Sequence, residues 1–361
     1  MKVIIVGAGA SGITAAQILK DKGIEFEILE ANSVTGGRLK ESSDFADFPI
    51  DLGAEWIHKS IRAAPPIASK LLHGKEENHR TFKYVPRTIL QYKDGTLHNK
   101  NWMRFILALI QDYKFVDSTW FDFVDRMVTP EIEERIHLNT AVSKIDYSSA
   151  DVLVTAESGQ LFRADKILVT VPIKILQDGL IEFIPELPAS QLTAIHGEKV
   201  GDGLKVFMEF SEQFYPDLIL IGNLFGNPFQ DDSSYYNATL GKNSNKHILG
   251  LFAHGEKATR YTSQGSNEAI FQFVISELDE IFDGRASKTY KKHLIQNWSQ
   301  EPFIRGSYSQ RKGNVKKMAA PLSNKVFFAG EAMNTKGRTI AVHGAMESSH
   351  LAVDQMLGSM S

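Results

Sequence analysis

The stretch VIIVGAGASGITAAQILKDKGIEFEILE, Val3 to Glu30, decides the fold class of this chain. Its first residues, Val3 to Val6, form an uninterrupted apolar run, which is typical of a strand in a parallel sheet covered on both faces. Three glycines follow as G-x-G-x-x-G, a helical pattern ends at Gly23, and a second strand ends at Glu30. Strand, glycine turn, helix, strand and acid in this order predict a Rossmann-like unit that binds a dinucleotide.

The glycines and the acid each have a chemical reason to be there. Gly7 permits the tight turn, Gly9 lets the backbone approach a pyrophosphate at the helix N-terminus, and Gly12 permits close packing of helix on strand. Glu30 would accept hydrogen bonds from a ribose 2′-hydroxyl and would repel a 2′-phosphate. The pattern therefore favours NAD or FAD over NADP, and it does not separate NAD from FAD.

The composition of the chain narrows the class of protein further. The 361 residues are 43% hydrophobic and 23% charged, which is typical of a globular protein and long enough for two domains. The net charge is −3 and no block of lysine or arginine occurs, so nucleic acid is not a predicted partner. The absence of cysteine excludes disulfides and thiolate chemistry, and the histidines show no spacing typical of a metal site.

The N-terminal apolar run is a candidate signal peptide, but three glycines interrupt it. No other segment approaches the roughly 18 apolar residues of a spanning helix. We therefore expect a cytoplasmic protein without a membrane partner.

Further motifs lie near both ends of the chain. SVTGGRL, beginning at Ser33, places two glycines and Arg38 after the acid, where Arg38 can neutralise a pyrophosphate. DLGAEWIH, Asp51 to His58, is a short strand with a glycine turn. Near the C-terminus, VFFAGEA is a buried strand with a turn that carries Glu331, and HGAMES begins a closing helix.

Together, GAGASG, GGR, DLGAEWIH and FAGEA…HGAMES resemble the flavin-containing amine oxidases, a family with monoamine oxidases, polyamine oxidases and lysine-specific histone demethylases. The resemblance implies FAD as the cofactor. It implies non-covalent binding, because Ser307 stands where monoamine oxidases carry the cysteine that is bonded to FAD. The implied fold class is α/β (α+β, two domains), with a Rossmann-like FAD-binding domain of the glutathione-reductase type and a substrate domain of mixed sheet plus helices.

A discontinuous domain division is expected from the same resemblance. The FAD-binding domain covers 1–79, 135–187 and 291–361, and the substrate domain covers 80–134 and 188–290. Within the first, 136–171 is predicted to be a β-meander.

Two features of the substrate domain lead to expectations. An apolar stripe at helical spacing is predicted to be core or to line a cavity, and it consists of Trp102, Phe105, Ile106, Leu109, Ile110 and Tyr113. The region 59–134 is shorter than in most relatives, which predicts a more open roof or one completed by a second copy in a homo-oligomer.

The resemblance also implies the contacts of the cofactor. The cofactor-binding residues are Gly7, Gly9, Gly12, Glu30, Gly37, Arg38, Gly53, Ala54, Glu55, Trp56, Val142, Gly330, Glu331 and Val342. Glu30 would hold the adenosine ribose, Val142 would touch the adenine, and Glu331 would bind the ribityl–phosphate part. The peptide Gly53 to Trp56 would lie along the isoalloxazine ring, and the helix from Val342 would point its N-terminus at the flavin N1–C2=O edge.

The implied catalytic residues are Lys205, Trp298 and Tyr308. Lys205 lies in the strand-like stretch GDGLKVFMEF, where it is either a solvent-facing charge on an edge strand or the family's lysine that binds a water at flavin N5. Burial there would cost energy unless nearby acceptors compensate. Trp298 would pack near the flavin and Tyr308 would form one wall of an aromatic cage, whose other wall is missing because Ala341 stands there.

The function implied is oxidation of an amine to an imine by hydride transfer to flavin N5, with O2 as acceptor and H2O2 as product. An L-amino-acid oxidase of the same fold would need an arginine for the substrate carboxylate, and Arg62 and Arg305 are candidates. A desaturase-type flavoenzyme and a catalytically inactive flavin-binding scaffold are also compatible with these motifs.

Overall fold

The computed structural model describes residues 1–58, 80–110, 112–222, 232–310, 313–336 and 341–358. The chain divides into two compact units. The first unit comprises Met1–Lys40, Trp120–Val200 and Pro302–Ser361, and the second comprises Glu41–Thr119 and Gly201–Glu301. The domain division predicted from the sequence places its boundaries at other residues and stays a prediction.

The strands and helices of the described residues have the following bounds. The strands are β1 (Lys2–Val6), β2 (Glu25–Leu29), β3 (Glu41–Ser42), β4 (Ile50–Asp51), β5 (Ile57–His58), β6 (Thr81–Lys83), β7 (Ile89–Lys93), β8 (Thr96–Asn99), β9 (Asp112–Phe115), β10 (Ile136–His137), β11 (Val142–Asp146), β12 (Val152–Ala156), β13 (Leu161–Ala164), β14 (Lys166–Val169), β15 (Glu182–Ile184), β16 (Gly203–Phe210), β17 (Leu218–Ile221), β18 (Asp232–Asn237), β19 (His247–His254), β20 (Tyr290–Asn297) and β21 (Val326–Phe328). The helices are α1 (Ala10–Asp21), α2 (Met103–Ile110), α3 (Trp120–Asp125), α4 (Pro130–Glu133), α5 (Ile173–Gln177), α6 (Ala189–Gly197), α7 (Glu256–Thr262), α8 (Asn267–Ile281), α9 (Arg285–Thr289), α10 (Val315–Met318) and α11 (Val342–Gly358).

The first unit contains a five-stranded parallel sheet in the order β10-β2-β1-β14-β21. Val3 to Val6 of β1 are all buried, as their apolar run predicts for a central strand. Helix α1 follows β1 directly and packs along α11, where the hydroxyl oxygens of Ser11 and Ser349 lie 2.6 Å apart. The predicted Rossmann-like arrangement is confirmed.

A second sheet of the first unit has the order β13-β12-β11-β15 and confirms the predicted meander. Strands β11, β12 and β13 pair antiparallel, and the turn between the last two has Gly159 at φ +86°. The last predicted strand of the meander is split, because 161–164 pair with β12 whereas 166–169 join the parallel sheet beside β1. Apolar side chains of both sheets, such as Ile4, Ile145 and Val154, belong to one buried core.

The second unit contains a seven-stranded mixed sheet in the order β20-β16-β19-β18-β17-β7-β8. The pair β17–β7 is parallel, and the other pairs are antiparallel. Strand β16 is paired on both sides, with Lys205 between Phe252 and Gln296, and all eight of its residues are buried. The interpretation of Lys205 as a solvent-facing charge on an edge strand is therefore wrong.

Helix α8 closes one side of this sheet. Ser266 caps its N-terminus by accepting a hydrogen bond from the Ala269 amide. Ile270, Val274 and Leu278 recur at helical spacing and are fully buried in a core with residues of β16 and β19.

The apolar stripe predicted to be core or cavity lining has a different position. Trp102, Phe105, Ile106 and Leu109 are exposed by 57, 73, 46 and 68%. The neighbouring face of α2 packs inward, through Met103 and Leu107. Tyr113 lies in β9, and the side chain of Ile110 is outside the described part of the chain. The prediction is wrong for the four exposed residues, because the side of α2 turned to the core is set by what lies opposite it.

Among the described residues, no helix has the length and apolarity required to cross a bilayer.

Candidate functional site

Two glycine loops of the first unit lie side by side. Gly7 follows β1 at φ +105°, and a Cβ on Gly12 would lie 1.9 Å from the Gly7 carbonyl oxygen, so only glycine fits at position 12. Gly36 has φ +106°, and its amide donates a hydrogen bond of 2.9 Å to the carbonyl of Ala8. The loops G-A-G and G-G-R thus form a cradle of backbone.

The N-terminus of α1 belongs to this cradle. Its N-cap is Gly9, which has no side chain to cap the helix, and a Cβ on Gly37 would lie 3.6 Å from the Gly9 Cα. The first amide groups of a helix carry partial positive charge and bind anions such as phosphate. Position 12 has no room for a Cβ, and Gly36 has a positive φ, so both loops present bare backbone. A cradle of this kind fits the pyrophosphate of a dinucleotide.

Glu30 lies directly after β2 and is 5% exposed. Its Oε2 accepts a hydrogen bond of 2.7 Å from the Ala8 amide, and its Oε1 accepts from the Asn32 amide and side chain at 2.9 and 3.1 Å. The carboxylate is thereby fixed beside the glycine turn. A carboxylate has about four acceptor sites, so one remains for a ribose hydroxyl, and this contact stays a prediction.

Arg38 and Glu331 are brought together from opposite ends of the chain. Nη1 of Arg38 lies 3.0 Å from Oε1 of Glu331 and donates to the Ser307 carbonyl at 2.6 Å. Oε2 of the buried Glu331 accepts from the Ser309 hydroxyl at 2.7 Å. Contacts of this pair with the pyrophosphate and the ribityl part stay predictions.

The other predicted residues of the first unit lie on its strand and helix ends. Val142 is the first residue of β11 and is buried. Gly330 follows β21 at φ +135°, and its amide donates to the Ser348 hydroxyl of α11 at 2.8 Å. Val342 is the first residue of α11, and Tyr308 is half-buried. Their roles toward the cofactor stay predictions.

In the second unit, one buried carboxylate lies between two lysines. Oε2 of Glu55 accepts hydrogen bonds from Lys205 Nζ at 2.7 Å and from the Tyr236 hydroxyl at 2.5 Å. Oε1 of Glu55 forms a close ion pair with Lys114 Nζ. Glu55, Lys114 and Lys205 are called the Glu55 cluster below. Two ammonium groups and one carboxylate give this cluster a formal charge of +1 when all three are ionised.

Lys205 is only 2% exposed and has the acceptors that its burial requires. Besides the Glu55 carboxylate, its Nζ donates a hydrogen bond of 2.8 Å to the backbone carbonyl of Asp51. The same Nζ lies 5.5 Å from the ring centroid of Trp56 and 5.6 Å from that of Phe207. The ammonium is thus held by two acceptors and two aromatic rings.

Lys114 on β9 is not among the site residues predicted from the sequence. It is 1% exposed, and its Nζ lies 4.5 Å from the ring centroid of Tyr236 and 5.0 Å from those of Trp56 and Tyr84. Aromatic faces attract a cation at this range. A signal exists in the sequence, because the strand DYKF places a lysine between two aromatic residues, but a lysine in a four-residue strand is ordinarily exposed.

Burial and charge shift the ionisation of the Glu55 cluster. Burial raises the pKa of Glu55, but the charges of Lys114 and Lys205 outweigh it and hold this pKa at about 2. Burial lowers the pKa of Lys114 to about 8, although the Glu55 carboxylate opposes the change. Burial, with the Glu55 charge, raises the pKa of Tyr84 and Tyr236 far above the usual range, so both phenols stay protonated. Lys114 is therefore a group of this cluster that can titrate near neutral pH.

The remaining predicted residues of the second unit lie close to this cluster in the chain or in space. The Trp298 indole is buried, and its Nε1 donates a hydrogen bond of 3.0 Å to the Leu52 carbonyl. Gly53 and Ala54 follow as half-buried residues before Glu55. The GAEW motif and the W of NWSQ are thus brought together within one unit.

The two arginines considered for a substrate carboxylate have different outcomes. Arg305 is exposed, and its Nε lies 2.8 Å from Asp178 Oδ2, so this guanidinium already has a carboxylate partner. Arg62 lies outside the described residues.

Two family models match the sequence. The model described as flavin containing amine oxidoreductase matches residues 105–357, more than half of the chain. The model described as NAD(P)-binding Rossmann-like domain matches residues 5–72, which include both glycine loops of the cradle. The two matched ranges do not overlap.

Relatives are found both among protein sequences and among solved structures. Polyamine oxidase 4 of Oryza sativa subsp. japonica is 26% identical over 436 residues, covering 98% of this chain and 88% of the relative. Lysine-specific histone demethylase 1B of Mus musculus is 23% identical over 422 residues, covering 92% of this chain and 50% of the relative. A triple mutant of putrescine oxidase matches with a TM-score of 0.77 and 16% identity over 100% of this chain and 99% of that chain, which shows a common fold.

Proposed function

The chain belongs to the family of flavin-containing amine oxidoreductases, and from this premise we propose that it oxidises an amine to an imine with O2 as the acceptor. It is an FAD-dependent oxidoreductase. In the proposed reaction the amine loses two electrons and two protons, which appear in H2O2, and water then hydrolyses the imine. FAD, when bound, supplies the two-electron redox chemistry.

The first unit is proposed to hold the cofactor through the cradle and its neighbours. The backbone of Gly7, Gly9 and Gly12 would take the pyrophosphate, and Glu30 would take the ribose. The flavin is bound non-covalently, because position 307 is serine and the chain has no cysteine to form a thioether.

The proposal of oxidase chemistry rests on the position of Lys205. Its ammonium is buried on an inner strand and fixed by Glu55 and by the Asp51 carbonyl, and a buried ion pair of this kind is weak evidence for a role in stability. We propose that this charge favours the negative charge that develops as O2 accepts electrons from the reduced flavin. Trp298 and Tyr308 are proposed to shape the amine site.

The substrate class is proposed from the relatives. Several of them are polyamine oxidases by name, which favours an aliphatic amine over an amino acid. The pairing of Arg305 with Asp178 removes one of the two arginines that an L-amino-acid oxidase could use. A cytoplasmic location, a second copy in the assembly and the absence of nucleic-acid or membrane partners stay predictions.

An anaerobic screen tests the function directly. Purified holoenzyme is mixed with a panel of aliphatic mono-, di- and polyamines and of L-amino acids, and flavin absorbance is followed. We expect bleaching by amines, and on admission of O2 a recovery of colour with one H2O2 for each flavin. Bleaching by amino acids alone favours the amino-acid oxidase, and no bleaching by any compound, with a flavin that dithionite still reduces, favours the scaffold.

A further inference from the structure

The proposed function does not use Lys114, a buried ionisable group of the Glu55 cluster. We propose that Lys114 is a positioning residue that orients the Glu55 carboxylate and sets the net charge beside Lys205, so that loss of the Lys114 proton slows the reaction of the reduced enzyme with O2. This inference rests on the proposed role of Lys205 and adds a regulating group to the same site.

The orientation follows from how Glu55 divides its two oxygens. Oε1 meets Lys114, whereas Oε2 accepts from both Lys205 and the Tyr236 hydroxyl. Each ammonium therefore holds a different oxygen, and together they fix the plane of the carboxylate. Removal of the charge on Lys114 ends the ion pair at Oε1, which leaves Lys205 as the ammonium paired with the carboxylate, beside the Tyr236 hydroxyl.

The charges around Lys114 come from several elements of the second unit. The titratable and charged groups that face it among the described residues are Glu55 before β5, Tyr84 after β6, Lys205 on β16, Tyr236 on β18 and Lys242 after β18. The two phenols stay protonated, and Lys242 donates a hydrogen bond of 2.7 Å to the Phe115 carbonyl on the strand of Lys114. Burial lowers the pKa of Lys242 as well, so it needs its own control.

Contacts distinguish the two lysines of the cluster. Lys205 Nζ has a carboxylate oxygen and a backbone carbonyl as acceptors. Lys114 Nζ meets one carboxylate oxygen and three aromatic faces, and no backbone carbonyl is found among its partners in the described part of the chain. Loss of the Lys114 proton takes the formal charge of the cluster from +1 to zero.

The test uses a flavin that is reduced without any substrate. Holoenzyme is reduced anaerobically by light and EDTA and mixed with O2 in a stopped-flow instrument from about pH 6 to about pH 10. We expect the wild-type rate constant to fall by about tenfold around pH 8. Lys114→Met should show the low rate at every pH, and Lys114→Arg, which cannot lose its charge, should show no step and stay fast above pH 8.

A matched control removes Lys242, which lies near Lys114 but outside the Glu55 cluster. Lys242→Met should keep the step and displace it to higher pH, because Lys242 contributes to lowering the pKa of Lys114. A step that disappears in Lys242→Met and persists in Lys114→Met overturns the proposal and assigns the titration to Lys242. Identical profiles in wild type and Lys114→Met overturn it as well.

A second measurement observes the protonation of Lys114 directly and does not depend on turnover. Lysine labelled with 13C at Cε and 15N at Nζ is observed by NMR in the holoenzyme, and the Lys114 signal is assigned by its absence in Lys114→Met. We expect it to titrate near pH 8. The proposal is contradicted if the Lys114 signal stays unchanged up to about pH 9.5 or above. This pH lies about one and a half pH units above the expected midpoint.

The two proposals fail in different experiments. If amines do not bleach the flavin but the O2 step follows Lys114, the proposed function fails and the inference stands. If amines bleach it and the rate constant with O2 does not depend on Lys114, the function stands and the inference fails.

Discussion

The ammonium of Lys205 lies 2.7 Å from the carboxylate of Glu55, and both side chains are buried in the second unit. The two residues come from GDGLKVFMEF and DLGAEWIH, which are far apart in the sequence. Their contact joins two motifs that the sequence predicts to lie in separate domains. It also supplies a counter-charge without which a lysine inside a sheet would be strongly destabilising.

Substitution Lys205→Met should slow the reaction of the reduced enzyme with O2 more than its reduction by amine. Methionine keeps the length and apolar volume of the lysine and removes the charge that is proposed to favour electron transfer to O2. Stopped-flow absorbance measures the two half-reactions separately. Wild-type rates in both would show that Lys205 has no role in the chemistry.

Substitution Glu55→Gln should lower the free energy of unfolding by about 3–5 kcal/mol, because it leaves two buried ammonium groups without a counter-charge. Urea denaturation of the apoprotein measures it. The matched control is Glu209→Gln, since the three lysines near Glu209 lie 3.4 to 3.6 Å away and are 32 to 52% exposed. Equal losses in the two variants would mean that burial of the lysines at Glu55 has little energetic effect.

The stability of the wild type relative to Lys114→Met should rise with pH between about 8 and 10.5, where the pKa of Lys114 is about 8 in the folded state and 10.5 in the unfolded chain. In this window the unfolded chain binds more protons than the folded one, so the free energy of unfolding increases with pH. The full change is about 3 kcal/mol. If the free energy of unfolding depends on pH in the same way in the two proteins across this window, the lowered pKa of Lys114 is contradicted.

Substitution Glu30→Ala should weaken FAD binding by roughly ten- to a hundred-fold, because a charge-assisted hydrogen bond to the ribose is lost. Titration of apoprotein with FAD, followed by fluorescence quenching, gives the dissociation constant. Glu27→Ala, on the strand β2 that precedes Glu30, is the control, since Glu27 pairs with Lys2 at 2.9 Å and is not a predicted cofactor residue. A dissociation constant equal to that of Glu27→Ala would remove the ribose role.

Substitution Gly12→Ala should abolish FAD binding and destabilise the first unit, because its Cβ would lie 1.9 Å from the Gly7 carbonyl oxygen and force α1 away from β1. Flavin content and thermal unfolding measure the two effects. Gly197→Ala is the control, since a Cβ at Gly197, at the end of α6, meets no atom within 4 Å. A Gly12→Ala protein that keeps its flavin would show that the close approach seen here is not required.

Part of this protein could be predicted from short stretches of sequence. The β1–α1–β2 unit and the meander after β10 depend on glycines and apolar periods within a few residues. Backbone geometry at Gly7 and Gly12 is decided by neighbours in the same segment, so the motif predicts the local fold. The motifs at both ends likewise indicate the family.

Only the tertiary structure decided which polar side chains meet in the second unit and which apolar ones face solvent. Whether Lys205 lies on an edge or inside a sheet depends on the strands that pair with it, and these are β19 and β20. Lys114 is buried because Glu55, Tyr84 and Tyr236 arrive from three other segments. The prediction for the exposed face of α2 is wrong for the same reason: periodicity identifies an apolar face, but the burial of a face depends on the partner that lies opposite it.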